Sequence, residues 1–294
     1  MKASAFKYHD PHSLIEALDL LASLENTIIL AGGQSLVPMM NFRMVTPDHL
    51  IDINRLRALS SIELHENSIK IGAMTRQRDL EFSPLIDTHL PVIQEALQYV
   101  GHRQTRNRGT LGGSLCHLDP SAELVAVCAL MDAVLHVQSK NGARDVPINL
   151  WGQGLMTHSM QPGEMLVGIT ISPWQGPHGY SFVEFARRHG DFALVAVACL
   201  LRISANGTIS DASLCLSGTD SSPLRVSSAE QILIGNKPSH EVWRAASEEA
   251  AKLKAINDPL ISQKYRQHLA RILSYRALEI ANERALNSQG RHYE

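Results

Sequence analysis

The chain has no strong charge of either sign, no long hydrophobic run and no clustered cysteines. Over its 294 residues, 27 Lys and Arg stand against 29 Asp and Glu, a formal net charge of −2. That near balance argues against a polyanion such as nucleic acid as the main ligand. The longest apolar run, Phe192 to Leu201, is ten residues and stops at Arg202. A bilayer span needs roughly 20, so the run reads as a buried strand and no membrane span is expected. The first ten residues hold no apolar stretch of the kind a secretory signal requires. The four cysteines, Cys116, Cys128, Cys199 and Cys215, form no C-x-x-C pair and read as reduced core thiols, with the cytoplasm as the expected compartment.

Familiar fingerprints are also missing. No G-x-G-x-x-G follows a strand, no G-x-x-x-x-G-K-[ST] occurs, and Gly152-x-Gly154 lacks a third glycine. There is no H-E-x-x-H, and the 14 histidines are scattered, so no metal is assigned. No residue pattern demands an acid–base catalyst, and none is assigned, although His102 and His117 keep that option open.

What is present is apolar content of 44% with only 19% charged residues, enough for an ordinary core. Leu14, Ile15, Leu18, Leu21 and Ala22 recur at helical spacing. Residues 27–31 read as a short buried strand, and residues 50–53 and 69–71 as others. Residues 62–65 turn back at Glu66-Asn67 as a hairpin. Asn141-Gly142 and Asn206-Gly207 each sit between β-rich runs, a strong hairpin signal because both residues accept positive φ. Helices are expected over 91–100 and over 120–132, the latter with Asp119 as N-cap and Pro120 at its first position. Further helices are expected near 227–233, 239–253 and 262–286. The Pro- and Gly-rich stretch 173–179 suggests a boundary, with residues 1–175 as one part and 176–294 as the other.

Two Gly-Gly segments carry the functional signal. Ala31-Gly32-Gly33-Gln34-Ser35-Leu36 leaves a buried strand, with Pro38 soon after as a helix start. A pyrophosphate wants several converging backbone N–H groups and close approach without a Cβ, and a new helix N-terminus adds a favourable dipole. The second, Thr110-Leu111-Gly112-Gly113-Ser114, follows Arg103, Arg106 and Arg108. An ordinary tight turn and a solvated basic face are the bland alternatives. Glu123, in the first turn of the helix after Asp119, either stabilises the helix dipole or accepts from sugar hydroxyls.

In order along the chain come Gly32-Gly33-Gln34-Ser35-Leu36-Val37-Pro38, Ile51-Asp52-Ile53 and Ile71-Gly72-Ala73-Met74-Thr75. Then follow Gln104-x-Arg106-Asn107-x-Gly109-Thr110-Leu111-Gly112-Gly113, Asp119-Pro120-x-x-Glu123-Leu124 and Arg187-Arg188-x-Gly190-Asp191-Phe192-Ala193. The ordered set resembles the FAD-binding medium subunit of molybdenum hydroxylases, the group of carbon monoxide dehydrogenase, xanthine dehydrogenase and N-heterocycle hydroxylases.

The resemblance implies an α+β fold: a vanillyl-alcohol-oxidase-type FAD-binding domain of two subdomains, then a C-terminal three-stranded antiparallel sheet with helices. It implies FAD held by Ala31, Gly32, Gly33, Gln34, Ser35 and Leu36 and by Thr110, Gly112, Gly113 and Ser114. Glu123 would meet ribose or nearby hydroxyls, Val100 would form an apolar wall, Leu166 would offer main-chain contact, and Arg188 would approach the isoalloxazine. It implies a 2Fe-2S small subunit and a molybdopterin large subunit as partners, with electrons passing through FAD to an external acceptor. The competing reading is a self-contained flavin-dependent oxidoreductase on the same fold. Relatives that carry an additional four-cysteine iron–sulfur insertion differ here, because this chain has no clustered cysteines. Ser114 also stands where Asn or Asp is frequent in the family.

Overall fold

The computed structural model describes residues 2–290. The first layer is a parallel sheet in which His49–Asp52 lies between Lys7–His9 and Thr27–Leu30. Its crossover helix, Leu14–Ser23, starts where Ser13 Oγ accepts the Glu16 N–H, and buries Ala17 and Leu18. Those side chains pack with Ile51, Ile53, Met74 and Met165 as a small core of their own.

The second layer is a five-stranded antiparallel sheet. Its strand order is Ile62–His65, Ser68–Gly72, Met165–Ile171, Val134–Ser139, Gly142–Pro147. Ile69, Ile71, Leu135, Val137, Ile169 and Ile171 alternate onto one face, as the two-residue period requires, and pack under the short helices between residues 77 and 130. Trp151 is fully buried there, its Nε1–H donating to the Leu115 carbonyl at 2.7 Å.

The third layer is the antiparallel meander Gly179–Phe185, Val195–Ile203, Ile209–Ser217, with the two-residue edge strand Leu224–Arg225 as a fourth member beyond the expected three. Val195–Ile203 is buried on both faces. Val195, Val197, Cys199 and Leu201 point to the helices Ser227–Leu233, His240–Ala250 and Gln263–Gly290. Ala196, Ala198 and Leu200 point the other way, into the core of the second layer. Small residues let the long helix come close: a Cβ on Gly179 would collide with the Ala281 carbonyl, and Ala277, Ala281 and Ala285 are all buried. Arg284 joins the layers, its guanidinium on both Glu95 carboxylate oxygens at 2.5 and 3.2 Å and on the Tyr180 carbonyl at 2.8 Å.

Four expectations differ from the structure. The helix expected over 120–132 runs Glu123–Leu130 with Ala122 at its N-cap, because Asp119 Oδ1 accepts the Ser121 N–H at 2.8 Å and closes a turn instead. The strand expected from Phe192 begins at Val195, and Phe192 is 60% exposed at the preceding turn. The Thr110–Ser114 segment is no loop: Thr110 caps a helix, Leu111–His117, whose first turn contains both glycines. Helix Leu36–Asn41 likewise starts two residues before Pro38, which fits within a first turn where its missing N–H costs nothing.

Candidate functional site

A cleft of about 1530 Å³ runs between the parallel layer, the helix Leu111–His117 and the sheet strand Met165–Ile171. Drug-sized ligands fill roughly 300–1,000 Å³, so this space suits a longer, extended molecule. Of the fourteen residues expected from the sequence, thirteen line it, from Ala31 through Leu36 to Val100, Thr110, Gly112, Gly113, Ser114, Glu123 and Leu166. Arg188 does not line it. Its side chain is 82% exposed and sits 3.8 Å from Asp191, while Gly190, Asp191 and Phe192 of the same turn do line the cleft.

The two Gly-Gly segments contribute differently. Among the described residues, none of the backbone N–H groups of residues 32–36 donates to a protein acceptor. Gly33 has φ +74°, which bends the chain so that successive amides face one side. Successive unpaired N–H groups in such a turn form a nest that favours an anion, and a diphosphate fits it chemically. In the second segment the amides are already engaged. Leu111 N–H donates to Thr75 O at 3.0 Å, Gly112 N–H to Ala73 O at 2.8 Å and Gly113 N–H to Thr110 Oγ1 at 3.0 Å. Gly112 is therefore a packing glycine, since a Cβ there would stand 2.6 Å from the Ala73 Cβ. This segment offers the cleft the Ser114 hydroxyl, not a second set of amides.

A network in which only Asp52 belongs to a motif noted in the sequence holds the two segments in place. Tyr8 donates to Asp52 at 2.6 Å, and Asp52 accepts from the Asn54 amide at 2.5 Å. Asn54 also donates to Ala31 O at 2.9 Å, and the Arg76 guanidinium reaches both Asn54 Oδ1 and Arg108 O at 2.5 Å. Hydrogen bonds from Tyr8 and Asn54 hold the Asp52 carboxyl below the usual range against the desolvation of its burial. Arg106 belongs to no solvated face: it pairs with Glu81 at 3.0 Å and donates to Val100 O at 3.0 Å, fixing the apolar wall at Val100.

One corner of the cleft holds carboxyls that burial makes slow to ionise. Burial pushes the Glu123 carboxyl up to about 7, with the nearby Asp119 charge adding to it. Behind it Glu184, from Gly179–Phe185, is pushed up to about 8 by burial and then by the Glu123 charge. Glu184 Oε2 is buried without a hydrogen-bond partner. A carboxyl kept neutral can donate as well as accept, which suits sugar hydroxyls. Burial raises the Cys116 and Cys128 thiols to about 12, so they are not nucleophiles near neutral pH. Among the described residues no three His, Cys, Asp or Glu gather in a metal-binding group, and no helix is long and apolar enough to cross a membrane.

Comparison with known proteins adds two kinds of match. Residues 4–174 match the family described as the FAD binding domain in molybdopterin dehydrogenase, and residues 180–281 match the CO dehydrogenase flavoprotein C-terminal domain. The chain is 38% identical to the alpha subunit of the 6-hydroxypseudooxynicotine dehydrogenase complex of Paenarthrobacter nicotinovorans, over 97% of each chain. It is 36% identical to the nicotine 6-hydroxylase medium subunit of the same organism, covering 97% of this chain and 100% of the relative. A chain in a solved structure of carbon monoxide dehydrogenase from Hydrogenophaga pseudoflava superposes with a TM-score of 0.93 at 34% identity, covering 97% of this chain and 99% of that one.

Proposed function

Because the chain belongs to the FAD-binding medium subunits of molybdenum hydroxylases, we propose that residues 32–36 hold the pyrophosphate of its FAD. The observation that carries this reading is the run of unpaired backbone amides in a turn opened by Gly33, facing a cleft long enough for a dinucleotide. Ser114 adds a hydroxyl to the same cleft, and Glu123 offers the sugar or ribityl hydroxyls a carboxyl whose hold on its proton burial strengthens. Val100 and Leu166 supply apolar surface, with the Leu166 main chain at the edge of a β-bulge between Leu166 and Gly168.

The chain is thus an FAD-dependent oxidoreductase subunit of a multi-subunit hydroxylase. Bound flavin supplies the ability to take up electrons singly and release them as a pair. The protein's part is to position and shield it, and no side chain here is required as a general acid or base. We assign the electron source to a 2Fe-2S small subunit and the hydroxylation of substrate to a molybdopterin large subunit, all in the cytoplasm. The domain division at residues 175 and 176 follows the Pro- and Gly-rich stretch noted in the sequence.

Affinity purification from the native host tests this reading. It should bring down an iron–sulfur and a molybdenum polypeptide in fixed ratio, with one FAD per chain. A lone chain that turns over a small substrate at full rate would establish the self-contained flavoenzyme instead.

A further inference from the structure

Gln77 opens the short helix Gln77–Glu81, lines the cleft and is only 4% exposed. Its backbone N–H donates to Gly109 O at 2.9 Å. Its side-chain amide occupies the space that any Cβ at position 109 would need, so Gly109 exists to admit it. From there Nε2 donates to Ser114 Oγ at 3.2 Å, while Oε1 is buried without a partner. In this orientation the amide spends one N–H on Ser114 Oγ and turns Oε1 away from it. The amide is therefore held as a donor to Ser114.

That fixes the polarity of the serine. Ser114 Oγ accepts from Gln77, and no second hydrogen bond of this hydroxyl occurs among the described residues. A serine inside a helix ordinarily returns its hydrogen to the carbonyl one turn earlier. Here the hydroxyl lines the cleft with the free amides of residues 32–36, and its hydrogen is left for a ligand. We propose that Gln77 is a positioning residue for the anionic part of the dinucleotide: by donating to Ser114 Oγ it turns the Ser114 O–H outward onto a phosphate oxygen. The inference rests on the reading of this cleft as the FAD site.

The test uses the full chain with its partner subunits, stripped of flavin and titrated with FAD. Gln77→Met and Ser114→Ala should each weaken FAD roughly tenfold, the worth of one hydrogen bond to a charged group. The double variant should be no worse than Ser114→Ala, because the two side chains act through one contact. Gln77→Glu adds a signature that a purely structural role lacks. Ionised, the new carboxylate accepts from Ser114 and reverses the hydroxyl; protonated, it donates as the amide does. Its FAD affinity should therefore climb back toward wild type as pH falls, relative to Gln77→Met at the same pH. Additive losses in the double variant, or a pH-independent deficit in Gln77→Glu, would overturn the assignment. Gly33→Val separates this from the parent reading. Full FAD retention there removes the pyrophosphate site and the role of Gln77 with it, whereas loss of FAD there with additive Gln77 effects removes only the role of Gln77. If Gln77→Met does not fold, the FAD affinity of Gln77→Glu relative to the wild-type protein at each pH still decides the question.

Discussion

Gly32 and Arg108 meet backbone to backbone: a Cβ on Gly32 would run into the Arg108 carbonyl oxygen, which the Arg76 guanidinium also holds at 2.5 Å. The glycine lets two distant stretches of chain touch. Gly32→Ala should force them apart and destabilise the protein by about 1–3 kcal/mol, as overpacking does. Thermal unfolding of the flavin-free protein should show the drop; an unchanged melting temperature would mean that the contact is looser than described.

Gly33→Val should separate from it in phenotype. Gly33 sits at φ +74° with Val37 Cγ2 and Leu30 Cδ1 3.2 and 3.3 Å from where a Cβ would lie. A β-branched residue is strained there by roughly 1–3 kcal/mol, and the amide nest loses its shape. The expected outcome is a folded chain that retains little FAD, read from the ratio of flavin to protein absorbance.

Gly112→Val should instead fail at folding. Its Cβ position lies 2.6 Å from Ala73 Cβ, in the interior and away from the cleft amides. Soluble yield and circular dichroism should fall together with flavin content. A well-folded Gly112→Val chain lacking only FAD would restore the idea that this glycine faces the phosphates.

Glu123 and Glu184 predict a pH dependence. Their folded-state values of about 7 and about 8 lie above the ordinary 4.5, so the folded protein holds protons that the unfolded chain has released. Stability from these groups is full below about pH 4.5 and is lost as pH rises through 7 and 8. Glu184→Gln keeps the shape and cannot ionise, so it should flatten the decline between pH 6 and 9, by about 1 kcal/mol at the alkaline end. Denaturant midpoints across that range give the slope. Equal slopes in the variant and the wild type would show that Glu184 is already solvated.

Flavin should be held without a covalent bond. Cys116, His117 and His158 line the cleft, but the Cys116 thiol is raised to about 12 and burial lowers the His158 imidazole below its ordinary value. Acid precipitation should leave the yellow colour in the supernatant, and colour in the pellet would indicate a tether.

Much of the fold was legible because its signals are local. Asn141-Gly142 and Asn206-Gly207 mark real hairpins, although only the glycines take positive φ, +145° at Gly142 and +80° at Gly207, and neither asparagine does. The helix Leu111–His117 was not legible: Gly112 and Gly113 are poor helix formers, and the gain that offsets them, contact with Ala73, comes from a segment far away in sequence. The same holds for the site. The amides of residues 32–36 follow from a strand ending in two glycines, whereas Asn54, Arg76, Gln77 and Glu184 become site residues only when three layers close around them. Arg188 shows the converse. Its neighbours Gly190 to Phe192 reach the cleft while its own side chain turns to solvent, and a motif cannot say which way a turn residue faces.

Val195–Ile203 sends alternate side chains into two different cores, and the turn just before it supplies one wall of the cleft. A ribosome makes this strand after the whole of the first two layers. Until it has emerged and paired, the hydrophobic interior beneath Leu111–His117 stays open on one side, and the flavin cleft has only part of its lining. A nascent chain stalled before this strand is expected to expose an apolar surface for chaperones to cover.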